Sequence, residues 1–192
     1  MNILVVAAHP DDEVLGCGAS IAKWVKNGDE VKILIMAEGI TSRDITRNLD
    51  SRSEELSDLK KSAINASEVL GVKSVQLLSY PDNRMDSVDL LDIVKDIETY
   101  IHETKPQVVI THHPSDLNID HQITNQAVIT ICRPQKKNKV KEILFFEVPS
   151  STEWQISRNT KNFAPNWFED ISKYLNKKIL AIKAYKEELN EW

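Results

Sequence analysis

The chain has 192 residues, 41% hydrophobic and 28% charged, which suits one folded domain with a substantial core. Its 24 basic and 29 acidic side chains leave a net charge of −5, which argues against a nucleic-acid backbone as the main partner. No apolar run approaches the ~18 residues that span a bilayer, and the distant Cys17 and Cys132 cannot build a disulfide framework.

Met1-Asn2 leads straight into a strand, without a basic leader or a cleavage site, and both thiols read as buried and reduced; a cytoplasmic location is expected. In chain order, Ile3–Ala7 is predicted as the first strand and Val14–Lys26 as the first helix, stopped by Asn27-Gly28. A strand at Val31–Met36 follows, then an irregular stretch over 38–50. Arg47, Arg52 and Glu54-Glu55 read as the solvated start of a helix at Ser51–Leu70, which Gly71 closes. Next come a strand at Ser74–Leu78, a helix at Leu90–Glu103, a strand at Val108–Thr111 and a helix at Ile123–Cys132. Lys136-Lys137-Asn138-Lys139 reads as a solvated loop. A strand at Ile143–Val148 and an irregular stretch over 149–166 lead to a last helix at Trp167–Leu189. Its core stripe is Ile171, Leu175, Ile179, Ile182 and Tyr185.

Runs such as ILVVAA and VKILIMA are nearly continuous in apolar residues, as strands covered on both faces require. The expected fold is α/β, a Rossmann-like three-layer sandwich with a mostly parallel sheet of about five strands. Ligands of such sheets bind beyond the carboxyl ends of the strands. Polar clusters follow all the predicted strands, at 9–13, 38–43, 81–86, 112–121 and 147–154.

The first cluster is the most telling. Carboxylates at a helix N-terminus can simply complement the dipole, which accounts for Glu13 but poorly for His9 beside Asp11 and Asp12. A dinucleotide turn is excluded, because Gly16 and Gly18 come too late and the turn is anionic. Imidazole with carboxylate is ordinary cation chemistry, and a catalytic zinc keeps three protein ligands and one open position. THHPSDLNIDHQ, after the fourth strand, offers His112, His113, Asp116, Asp120 and His121 as further candidates.

Together, AHPDDEVLGCG and HHPSDLNIDHQ resemble the zinc-dependent N-deacetylases of the LmbE-like family, which includes the N-acetylglucosaminyl-phosphatidylinositol de-N-acetylases of PIG-L type. YPDNRMDS and FFEVPSSTEW are similar to a bacterial subgroup tied to amino-sugar and surface-polysaccharide chemistry. Position by position, the resemblance implies His9, Asp12 and His121 as ligands of one Zn2+, with Asp11 as general base and Asp120 orienting a histidine. Many members carry a histidine three positions before the last ligand; here Asn118 stands there, able to donate to an oxyanion but not to deliver a proton. His112 or His113 is then expected to protonate the leaving amine. Members also continue past the last helix into a His-Pro-Arg-Ser segment. One domain over 1–192 is expected, without that segment.

For substrate, Arg43, Asn83 and Arg84 lie on loops at the expected mouth, Asp82 could accept sugar hydroxyls, and Arg84 could hold a phosphate or carboxylate. An alternative for residues 80–83 is a turn whose side chains bond their own backbone. Glu147 and Trp154 follow the fifth strand, the tryptophan either stacking on a sugar or filling the core edge. The implied activity is hydrolysis of the N-acetyl group of an amino sugar or its conjugate, releasing acetate. An amidase on a thiol–sugar conjugate and a non-catalytic metal or sugar-binding protein stand as alternatives, and a homo-oligomer stays open.

Overall fold

The computed structural model describes residues 1–134, 139–149, 151–155 and 162–186. Five strands, β1 (Asn2–Ala7), β2 (Glu30–Ala37), β3 (Ser74–Tyr80), β4 (Val108–His112) and β5 (Glu142–Phe146), form one sheet in the order β3-β2-β1-β4-β5. Every pairing is parallel. The helices are α1 (Asp12–Lys26), α2 (Ser53–Leu70), α3 (Leu90–Thr104), α4 (Ile119–Ile131) and α5 (Leu175–Ile182).

Alternation along each strand sends successive side chains to opposite faces. Ile3, Val5, Ile33 and Ile35 pack with residues of α1 and α2 and the Tyr185 end of the chain. Leu4, Val6, Leu34 and Met36 pack on the other face with α3 and α4. Each such aliphatic side chain contributes roughly 1.5–3 kcal/mol when fully buried. The layered α/β expectation is met. Cys17 and Cys132 are buried free thiols. Among the described residues no helix is long and apolar enough to cross a membrane.

Most element bounds shift by a residue or two from the sequence reading, and three differences concern the fourth helix, the fifth strand and the last helix. The fourth helix begins at Ile119, not Ile123, because the Asn118 side chain accepts from Asp120 N at 2.8 Å and caps it. The fifth strand leaves the ladder at Phe146, although Val148 stays buried. The last helix is much shorter than 167–189, and only the Ile182 and Tyr185 end of its expected stripe packs into the core. Asp170 bonds the Ser172 N–H and hydroxyl, and Glu169 bonds Lys23 and Trp24 Nε1, so this stretch runs along α1 without helical hydrogen bonding. Of that stripe Leu175 and Ile179 are exposed, whereas Tyr185 is buried as expected, together with Ala181. Residues 187–189, like most of the 136–139 basic cluster, lie outside the described residues.

One close approach sets the position of α1 over the sheet. A Cβ on Gly16 would come within 2.7 Å of the Phe146 Cγ, well inside contact distance. Gly16→Ala is therefore expected to destabilise the fold by about 1–3 kcal/mol through overpacking, despite alanine's better helix propensity. Urea unfolding monitored by circular dichroism measures this.

Candidate active site

The turn after β1 is tight and strained. Asp11 sits at φ 109°, ψ −29°, a left-handed conformation that non-glycine residues seldom adopt. The peptide units around it are tied down. Asp11 O accepts from Val14 N at 2.9 Å and Leu15 N at 2.8 Å, and His9 N donates to Asp12 Oδ2 at 2.8 Å. On the neighbouring strand, the loop after β4 ends in the Asn118 cap, which places Asp120 and His121 in the first turn of α4. Because β1 and β4 are paired, this turn faces the first.

Three donor atoms then converge. His9 Nδ1 lies 3.2 Å from His121 Nε2 and 3.3 Å from Asp12 Oδ2, and the last two atoms are 3.2 Å apart. The edge of a tetrahedron whose corners stand about 2.0 Å from a central zinc is about 3.3 Å. The outer nitrogens are occupied by acids: His9 Nε2 lies 3.1 Å from Asp120 Oδ2, and His121 Nδ1 lies 3.0 Å from Asp116 Oδ1. Those carboxylates favour the proton on the outer nitrogen of each ring, which turns both lone pairs inward beside a carboxylate oxygen. Three lone-pair donors facing one another at this spacing fit a divalent cation. A second acidic grouping, His9 with Asp82 and Asp120, lies on the outer side of His9.

The local field is strongly negative. Burial works against a charged His9 ring, but Asp12 and Asp120 outweigh it and hold its pKa well above the ordinary value. Burial likewise opposes a charged His121, yet Asp12 and Asp116 raise it to about 9. Burial would raise Asp12, but His121 and His112 pull it well below the usual carboxylate range. The same field that favours protons on the rings favours a cation between them, so metal binding there displaces protons.

An open cleft of about 380 Å³ lies over this cluster. His9, Asp11, Asp12, Arg43, Asp82, Asn83, Asn118 and His121 all line it, joined by Ser42, Leu117, Val148 and Ser151. Asp82 is nearly sealed and accepts from Ser42 N and Asn83 Nδ2. The Asn118 amide cradles Asp120 N with its oxygen and donates to Asn83 Oδ1 at 2.7 Å. Asp120 is fully buried beneath the cleft, where Asn83 N and Met85 N donate to its two oxygens.

Five residues considered from the sequence are not brought to the cleft. His112 is fully buried behind His121, with ring centroids 3.9 Å apart, and its Nε2 accepts from Ala8 N at 2.8 Å. Burial pushes its pKa well down. His113 turns away, accepting from Ser115 N at Nδ1 and meeting Phe163 edge-on. Glu147 is exposed outside the lining. Arg84 donates to the Asp44 and Ile45 carbonyls and so holds a loop. Trp154 is largely exposed, as a core-edge residue would not be.

Some contributors were not singled out from the sequence. Asp116, counted in the loop but given no role, is fully buried and gathers His121, Thr152 Oγ1 and Ser151 Oγ. Burial alone would raise its pKa; the His121 ring and the two hydroxyls bring it to about 2. Glu13, read as a dipole partner, is fully buried and bonded to Tyr185, and burial raises it to about 7. Arg47, read as part of a solvated helix start, instead makes a two-pronged contact with the buried Glu38 at 2.7 and 2.6 Å. Arg52 similarly bridges Asp44 and Glu55.

The GlcNAc-PI de-N-acetylase (PIG-L) family matches residues 4–132. The chain belongs to this family. It is a deacetylase, a hydrolase of amide bonds. A relative named uncharacterized deacetylase YaiS, from Escherichia coli K12, is 31% identical, with 96% of this chain and 90% of that protein covered. A probable N-acetyl-alpha-D-glucosaminyl L-malate deacetylase 2 of Bacillus cereus is 24% identical, covering 97% of this chain and 83% of its own. In fold, the chain is similar to N,N'-diacetylchitobiose deacetylase of Pyrococcus horikoshii. The TM-score is 0.77 at 20% identity, over 98% of this chain and 71% of that one.

The loop over the cleft depends on its arginines. Arg47→Ala leaves the Glu38 carboxylate buried with Thr41 as its remaining side-chain donor, and is expected to cost about 1–3 kcal/mol. Adding Glu38→Gln should recover part of that loss, because a neutral amide is easier to bury than an unpaired charge. Chemical denaturation of the single and double variants reads both effects.

Proposed function

We propose that the chain hydrolyses the N-acetyl group of an amino sugar or amino-sugar conjugate with one zinc held by His9, Asp12 and His121. The observation that carries this reading is the triangle of donor atoms with edges of 3.2, 3.3 and 3.2 Å at the floor of a small-molecule cleft. Two of the similar proteins are named as a probable N-acetyl-alpha-D-glucosaminyl L-malate deacetylase and an N,N'-diacetylchitobiose deacetylase, which supports an N-acetylated sugar as the substrate class. When bound, the cation supplies an acidified water and polarises the amide carbonyl.

The chain's own residues do the rest. With a cation between them, His9 and His121 would present unprotonated inner nitrogens, and the nearby Asp120 and Asp116 carboxylates favour the remaining ring proton on the outer ones. Asp11 takes a proton as water adds to the carbonyl carbon. Asp11 lines the cleft next to the ligand Asp12 and is the acid–base group that this reading gives to proton transfer. The same carboxyl returns the proton to the nitrogen as the C–N bond breaks, leaving acetate and a free amine. This replaces His112 and His113, which lie outside the cleft lining. The Asn118 side chain, with one N–H committed to Asn83, keeps a second for the developing oxyanion. Ser42, Arg43 and Asn83 border the space left for the sugar. The buried thiols of Cys17 and Cys132 suit a reducing compartment, so the reading places the activity in the cytoplasm.

The test pairs metal analysis with amine release from N-acetylglucosamine, its conjugates and acetylated oligosaccharides. Asp11→Asn is expected to keep the metal while kcat falls about 10²–10⁴-fold, whereas His121→Ala should lose the metal itself. Unchanged turnover in Asp11→Asn would refute the assignment of the base, and a non-catalytic binding protein would show no amine release in any form.

Removal of metal supplies a separate check. Dialysis against a chelator is expected to abolish amine release, with zinc restoring it in proportion to metal bound. A chelated protein that stays fully active sinks the metal reading.

A further inference from the structure

The helix before the C-terminal end of the described chain reaches the catalytic turn without lining the cleft. Glu13 is the second residue of α1, buried completely, and its carboxylate turns backwards out of the helix. Its Oε2 accepts from Asp11 N at 3.0 Å, and its Oε1 accepts from the Tyr185 hydroxyl at 2.6 Å. Tyr185, just past α5, is 1% exposed. A few residues earlier, Lys178 Nζ donates to Leu15 O at 2.6 Å, near the point where Cys17 departs from helical geometry. Lys178 of α5 and Tyr185 just beyond it are thus both tied to the first turn of α1, directly after the strained residue.

In an ordinary capping box, the third helical residue reaches back to the N–H of the cap. Here the second residue does so, because the cap, Asp11, is left-handed. A dipole complement would not need burial, nor a tyrosine hydroxyl brought from 172 positions away. A backbone held at φ 109° is strained and persists only where contacts fix it. Glu13 Oε2 meets the N–H of Asp11, and Tyr185 fixes the same carboxylate through its other oxygen, Oε1.

We propose that Glu13 and Tyr185 are positioning residues that hold Asp11 in its left-handed conformation, so that its carboxylate faces the cleft. The proposal rests on Asp11 being the acid–base group, as argued above. Neither Glu13 nor Tyr185 borders the cleft over the metal ligands, so neither touches substrate under this assignment.

Kinetics at full metal occupancy test it. Tyr185→Phe is expected to lower kcat about tenfold and Glu13→Ala about 10²-fold, with KM and bound metal little changed. Glu13→Gln retains an oxygen for Asp11 N and should recover much of the loss. Lys177→Ala, on the same helix but bonded to Val69 O, should leave kcat unchanged. In an Asp11→Asn background, Tyr185→Phe should lower the residual rate no further, since the group it positions is already disabled. Should Glu13→Ala fail to fold, Tyr185→Phe and Glu13→Gln carry the decision. Normal kcat in Tyr185→Phe, or a full additional loss in the Asp11→Asn background, overturns the positioning role. Full activity in Asp11→Asn alone overturns the base assignment instead, so the two failures are distinguishable.

Discussion

The pairing of β1 with β4 is the constraint on which the site depends. The register Ile3↔Val108, Leu4↔Val109 and Val5↔Ile110 ends both strands at one level of the sheet. Just beyond the ladder, Ala8 N donates to His112 Nε2, so the two loops are joined before either ligand is placed. β2 lies on the other flank of β1, which makes β1 the point where strand order reverses and a crevice opens. His112 therefore serves the fold: bonded to one loop and stacked on His121, it sets the second imidazole against the first. The core beneath is apolar, with Leu4, Val5 and Val6 fully buried, so the strand ends that carry the donors have little freedom to drift.

Carboxylates crowd this end of the sheet, and the protein's own donors answer several of them. Asp82 takes Ser42 N and Asn83 Nδ2; Asp120 takes the N–H groups of Asn83 and Met85. Asp116 is wrapped by Thr152, Ser151 and Asn118 N, and Glu13 by Tyr185 and Asp11 N. Asp12 is the carboxylate that meets both inward imidazole nitrogens. The proposed donor set thus carries one formal negative charge, leaving a divalent ion with net positive charge to act as a Lewis acid. The surplus acids fix tautomers and loops without over-neutralising the ion.

The strands were legible because a strand covered on both faces must be apolar throughout, as Leu4–Ala8 and Ile33–Ala37 are. The two loops were legible because His and Asp at that density have few purely structural uses. The roles of individual acids were harder, since each depends on a partner distant in sequence: Asn83 for Asp120, Thr152 for Asp116, Tyr185 for Glu13. Arginines deceived for the same reason. Arg84 and Arg47 look like mouth and surface residues in sequence, but the carbonyls of Asp44 and Ile45 and the buried Glu38 claim them. The last helix was misplaced because periodicity reports a face, not its orientation, and the Asp170 turn overrode its first half.

Backbone strain marks the same place independently of any charge. Among the described residues four non-glycine positions have positive φ: Asp11, Ile40, Asn83 and Lys105. Lys105 ends α3, where a left-handed residue is routine. The other three line the cleft. Ile40 at φ 69° is the least comfortable, since a branched Cβ crowds the backbone there. A glycine would relieve each position, yet each side chain has a use: a carboxylate at 11, a buried apolar wall at 40, an amide joining two loops at 83. Local preference is thus overruled at three separate loops that share one cavity. The surrounding contacts, from Thr41 N to Gly39 O on one side and Asn83 N to Asp120 on the other, hold those conformations in place. A fold shaped for stability alone would have little reason to gather its unfavourable backbone conformations around one cleft.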